Sequence, residues 1–115
     1  MLSVLNNLNR VAGVRGSMIV DPDGIVVASD MAEGLDEQTA GAMASSILKS
    51  ICAALGKMNQ AGFERYLVTG KEGRAAIVKA GRIVLVVIMD KSVNLGMVQV
   101  QIKDAAKAIE AKSTF

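Results

Sequence analysis

The chain has 115 residues, 51% of them hydrophobic and 3% aromatic, with thirteen Lys and Arg against eleven Asp and Glu for a net charge of +2. Such a chain fits one domain, residues 1–115, that buries roughly two thirds of its unfolded surface without metal or disulfide staples. Scattered, nearly balanced charge with so few aromatics gives nucleic acid neither an electrostatic stripe nor a stacking platform.

The opening MLSVLNNLNR has no basic leader, and the longest apolar run, Ile83 to Met89, is too short to span a bilayer as a helix. Neither secretion nor direct membrane insertion is expected. Cys52 is the one cysteine, which excludes an intramolecular disulfide and suits a reduced, cytoplasmic protein.

Leu2, Leu5, Leu8 and Ala12 recur at helical spacing before Gly13, which predicts a short amphipathic first helix stopped by the glycine. Residues 15–20 and 25–29 are strand-like runs on either side of Asp21-Pro22-Asp23-Gly24, a hairpin signature. From Asp36, which can cap, Met43, Ile47, Leu48, Ile51, Leu55 and Met58 return at three- and four-residue steps, predicting a long helix from about 36 to 60. Strands follow at Phe63 to Thr69, Arg74 to Lys79 and Arg82 to Asp90, separated by turns at Gly70-Lys71-Glu72-Gly73 and Ala80-Gly81. The run Ile83 to Met89 is apolar at every position and so belongs mid-sheet, whereas Glu64, Arg65 and Tyr66 suit a strand nearer an edge. Ser92 or Asn94 begins a last helix that sets Leu95, Val98, Ile102, Ala105, Ala106 and Ile109 on one face. Gln99, Gln101, Lys103, Asp104, Lys107 and Glu110 line the other. The order α-β-β-α-β-β-β-α predicts an α+β fold: a five-stranded antiparallel sheet with helices on both faces.

Asp21 and Asp23 invite a metal reading, but a calcium loop needs more oxygen ligands and a glycine at its sixth position, not its fourth. Aspartate, proline and glycine instead occupy the places a type I turn favours. Gly70-Lys71 lacks both the preceding glycine and the following Ser or Thr of a phosphate loop, so it reads as a hairpin turn. No histidine is present, which removes His-assisted nucleophiles and the commonest metal ligand. The carboxylates lie in turns or helix starts and show no acid/base pair. No catalytic residue, metal or cofactor is expected.

The long helix carries the most information. Opposite its apolar stripe lie Gln38, Gly41, Ala42, Ser45, Ser46, Lys49, Cys52 and Ala53, mostly too small for an ordinary solvated face rich in Lys and Glu. Small residues admit another backbone closely, so this face is expected to meet a partner or a second copy. Cover within its own domain is the plainer alternative.

The stretch LNRVAGVRGSMIVDPDGIVVASD, the small-residue helix and the run GRIVLVVIMDKSVNLGMVQVQI together resemble the Roadblock dynein-light-chain family, over nearly the whole chain. That resemblance implies a Roadblock/profilin-like fold and a homodimer that pairs the first strand after the long helix with its copy. On this sequence the pairing strand is Phe63 to Thr69, with Glu64, Arg65, Tyr66, Leu67 and Val68 at the interface, beside paired helices from Asp36 to Met58. It further implies a non-enzymatic scaffold or regulator of a small Ras-like GTPase. The chain ends soon after its last helix and is expected to be a minimal module. None of Arg10, Arg15, Arg65, Arg74 or Arg82 stands out as an arginine offered to a nucleotide, so repositioning of the GTPase's own residues is the expected mode of action. A purely structural assembly scaffold is the alternative. A small-molecule sensor is disfavoured by the shortage of aromatic and pocket-like polar residues.

Overall fold

The structure is a computed structural model that describes residues 2–21, 25–31, 46, 50, 65–71, 73–81 and 83–113. In chain order these form α1 (Leu2–Asn9), β1 (Val14–Val20), β2 (Val26–Met31), β3 (Arg65–Thr69), β4 (Gly73–Ala80), β5 (Ile83–Asp90) and α2 (Leu95–Ser113). Apart from Ser46 and Ser50, which are helical and exposed, the residues of the expected long helix lie outside this set.

The five strands make one antiparallel sheet in the order β2-β1-β5-β4-β3. The apolar run of β5 takes the centre because both its faces can be buried. Leu85, Val87 and Met89 enter one core and Val84 and Val86 the other, the alternation that a pleated strand imposes. The first face is covered by α1 and α2. Leu5 and Leu8 of α1 and Val98, Ile102, Ala105, Ala106 and Ile109 of α2 close over Ile19, Ala76, Val78, Leu85 and Val87. The second face, built from Met18, Val20, Ile77, Val84 and Val86, is buried as well. Filling each such site with a branched or long aliphatic side chain contributes about 1.5–3 kcal/mol relative to leaving it exposed.

Turn chemistry sets the hairpins. Asp21 closes the β1–β2 connection from both ends: its backbone N–H donates to the Ile25 carbonyl at 2.9 Å, and its Oδ1 accepts from the Ile25 N–H at 3.0 Å. This carboxylate is therefore a turn fastener. Pro22, Asp23 and Gly24 lie outside the described residues. The β3–β4 turn is closed by the Gly70 N–H on the Gly73 carbonyl at 2.8 Å, a hairpin and not a phosphate loop. At the β4–β5 turn Gly81 takes a left-handed φ of 68°. Asn94 caps α2 through its Oδ1, which accepts from the Met97 N–H at 3.2 Å.

One local expectation is corrected. The helical spacing of Leu2, Leu5 and Leu8 continues to Ala12, but α1 stops at Asn9 and Ala12 is exposed in the turn beyond it. Tighter three-residue bonds from the Arg10 N–H to Asn7 and from the Val11 N–H to Leu8 unwind the chain. It then passes through Gly13 at φ 94° and enters β1.

A buried polar link fixes α1 to the sheet. Ser17 is fully buried on β1, and its Oγ donates to Asn9 Oδ1 at 2.8 Å. Asn9 Nδ2 donates in turn to the Asp30 carbonyl on β2 at 2.6 Å. Asn9→Ala leaves the Ser17 hydroxyl with only a long 3.5 Å contact to the Leu5 carbonyl. It should destabilise the fold by about 1–3 kcal/mol, read as a lower urea midpoint at unchanged slope.

Candidate interaction surface

The sheet has two outer strands, and they differ. On β2 the pairing with β1 is broken by a register shift between Ile19 and Val20, and the strand carries Asp30. Bulges and charges are devices that discourage further pairing. On β3 the pairing with β4 runs through five consecutive partners, Arg65↔Val78, Tyr66↔Ile77, Leu67↔Ala76, Val68↔Ala75 and Thr69↔Arg74, without a shift. Tyr66 and Leu67 are 37% and 38% exposed. Among the described residues no strand lies beyond β3, so its outer row of backbone donors and acceptors forms a flat, partly apolar edge.

Register settles which way these side chains lie. Arg65, Leu67 and Thr69 are opposite Val78, Ala76 and Arg74 and share the face covered by α1 and α2. Tyr66 and Val68 share the other face with Ile77 and Met18. Of the residues expected at an interface, Arg65, Tyr66, Leu67 and Val68 are brought together on this edge. Ser46 is exposed on a helix. Gln38, Gly41, Ala42, Ser45, Lys49, Cys52, Ala53 and Glu64 lie outside the described residues.

The surface offers little chemistry. Among the described residues, no group of three or more Cys, Asp or Glu gathers to hold a metal ion. The Arg15 guanidinium is 3.7 Å from Asp90, an ion pair with both side chains about half exposed, the kind that contributes 0–1 kcal/mol. Arg65 does join residues that the sequence leaves on separate elements. With Lys79 of β4 and Lys103 and Lys107 of α2, it lines one groove. The i, i+4 spacing of the two lysines was the available signal, but on sequence alone they read as solvated helix surface.

An antiparallel five-stranded sheet with two helices on one face and a flat outer strand defines an α+β protein of the Roadblock type. The Roadblock/LC7 domain family matches residues 2–89, and the chain belongs to that family. It is 39% identical over 108 residues to an uncharacterised protein of Methanocaldococcus jannaschii, covering 94% of this chain and 92% of that one. MglB of Myxococcus xanthus superposes with a TM-score of 0.90 at 21% identity, over 96% of this chain and 92% of that one. A structure of MglB in a tetrameric arrangement superposes with a TM-score of 0.86 at 24% identity, over 95% and 84%. At these identities the structural likenesses establish the fold.

Proposed function

We propose that this chain is a single-domain, non-enzymatic Roadblock protein of the cytoplasm that forms a homodimer and regulates a small Ras-like GTPase. The observation that carries the reading is the inequality of the sheet's edges. The shift-free β3 strand with exposed Tyr66 and Leu67 is suited to pair with its own copy, and the bulged, Asp30-bearing β2 strand is not. Family membership and the self-associated arrangement of an MglB relative support the same reading. Pairing of β3 sets two long helices side by side, and their small-residue faces, Gln38, Gly41, Ala42, Ser45, Ser46, Lys49, Cys52 and Ala53, supply the seam and the platform for the GTPase. The regulator repositions the GTPase's own residues. Among its arginines, Arg15 is engaged with Asp90 and Arg74 is partly buried.

The test is to titrate the protein into the small GTPase of its own cell, loaded with GTP or with GDP, while following hydrolysis. Unequal affinity for the two forms, or altered hydrolysis, is the expected result. Equal affinity with unchanged hydrolysis would reject the regulator and leave a structural scaffold in its place. Ala42→Arg and Ser45→Glu should each weaken self-association or GTPase binding by at least about tenfold, the equivalent of 1.4 kcal/mol. Unchanged binding in both variants would show that another helix face makes the contact.

A further inference from the structure

The groove that gathers Arg65 with Lys103 and Lys107 adjoins the β3 edge proposed above and shares Arg65 with it. It lies between α2 and the end of the β3–β4 hairpin remote from its turn, on the sheet face away from Tyr66 and Val68, with a volume of 590 Å³. Its floor is apolar: Val78, Ile102 and Ala106 are all buried. Its rim is cationic. Arg65 stands on the strand side and Lys103 and Lys107 on the helix side, all three exposed, against Glu110 as the carboxylate among the described lining residues, while Lys79, paired opposite Val84, turns its side chain to the other sheet face. Gly81, at its left-handed φ, borders the groove where β4 turns into β5.

We propose that this groove docks an acidic segment of a partner protein, bound in extended form with acidic and apolar residues alternating. Three features select that occupant. Cations on two opposing walls, Arg65 facing Lys103 and Lys107, outnumber the carboxylate three to one among the described lining residues and complement negative charge. Lys103 and Lys107 are one helical turn apart, a rise of about 6 Å, and alternate side chains on one side of an extended strand repeat every 6.6 Å or so. Two acidic residues at i and i+2 therefore meet the two lysines in register. The apolar side chains that alternate with them point the opposite way, from the cationic rim down onto Val78, Ile102 and Ala106.

The other anionic occupants fit less well. A small phosphate-bearing ligand needs a site that buries most of its surface, and here all three cations are exposed. A lipid surface meets projecting charge and apolar anchors, whereas this apolar floor is recessed behind its cations. The groove is present in a single copy of the chain and shares only Arg65 with the proposed β3 seam, so its test reads Lys103 and Lys107, which lie on α2 outside that seam.

The experiment uses the full chain and a fluorescein-labelled peptide of about eight residues that repeats Glu-Leu-Glu-Ala, long enough to overrun the groove at 3.3 Å per residue. Fluorescence anisotropy at low ionic strength should report binding, weakened at least about tenfold when Gln replaces Glu and weakened again by 0.5 M salt or so. Lys103→Glu with Lys107→Glu should reduce affinity at least about tenfold. Arg10→Glu with Lys91→Glu makes the same charge change at exposed positions outside the groove, and should stay within about twofold of the parent. Circular dichroism and melting establish that each variant is folded. The proposal is overturned by absence of peptide binding, by equal binding of the Gln peptide, or by equal losses in the two double variants. Sedimentation with phosphatidylserine vesicles that the peptide does not compete away would equally overturn it, in favour of a lipid surface.

Discussion

Leu67→Arg should halve the mass of the protein in solution at tens of micromolar, measured by sedimentation or light scattering, without lowering its melting temperature appreciably. Leu67 is 38% exposed on the outer strand, so an arginine there costs the separate subunit little. In a β3-paired dimer each copy loses a buried Leu contact, worth about 1.5–3 kcal/mol apiece. Each also gains a cation two residues from Arg65 on the same face, close to its counterpart across the seam. The combined loss of about 3–6 kcal/mol weakens association by roughly two to four orders of magnitude. Val27→Arg supplies the control, because Val27 is 52% exposed on β2, at the opposite edge. A mass that falls with Val27→Arg and not with Leu67→Arg would assign self-association to the wrong edge.

The second large effect concerns stability. Gly13→Ala should destabilise the protein by about 3 kcal/mol or more, combining the strain of a non-glycine residue at positive φ with overpacking. At this chain length that lowers the melting temperature by roughly 10 °C. The backbone at Gly13 has φ 94°, and a Cβ added there would sit 2.6 Å from Val93 Cγ2, 2.9 Å from Val93 Cβ and 3.2 Å from its Cα. The site has no room to yield cheaply. The Gly13 carbonyl accepts from the Asp90 N–H at 2.7 Å, which holds the turn against the end of β5. Val93→Ala in the same chain removes the nearest atom and leaves the other two, so it should recover only part of the loss. A fall of less than about 1 kcal/mol for Gly13→Ala would mean that this turn relaxes freely.

The parts of the fold that were legible in the sequence are those fixed by local chemistry. Asp21 and the glycines at 70, 73 and 81 announce turns, and the apolar run at 83–89 announces a strand with both faces covered. The structure has hairpins and a central strand at those places. Ser92 and Asn94 both read as starts of the last helix, and Asn94 is the one that caps it. What sequence could not provide is pairing at a distance. Nothing local to β1 states that it lies against β5, some seventy residues later, with β2 on its other side. Ala12 shows the opposite failure, a local period that continues after the helix has ended, because the Gly13 turn and its fit against Val93 override it. The candidate surface divides in the same way. The edge character of β3 was read from the polarity of Glu64, Arg65 and Tyr66, whereas the groove exists only because α2 packs over β4 and brings Lys103 and Lys107 to Arg65.

The unequal edges of the sheet also govern how far assembly can proceed. A subunit with two adhesive edges adds copies without limit and grows a fibre. Here the pairing of β2 with β1 shifts at Ile19/Val20 and β2 is charged at Asp30, which leaves one flat margin among the described residues. In the proposed dimer, association through β3 is self-complementary: one pair of subunits would satisfy both, and the ladder would stop at ten strands. Joining by backbone pairing would in this way be self-terminating, and larger assemblies would have to be built through helices and grooves, where side chains choose the partner.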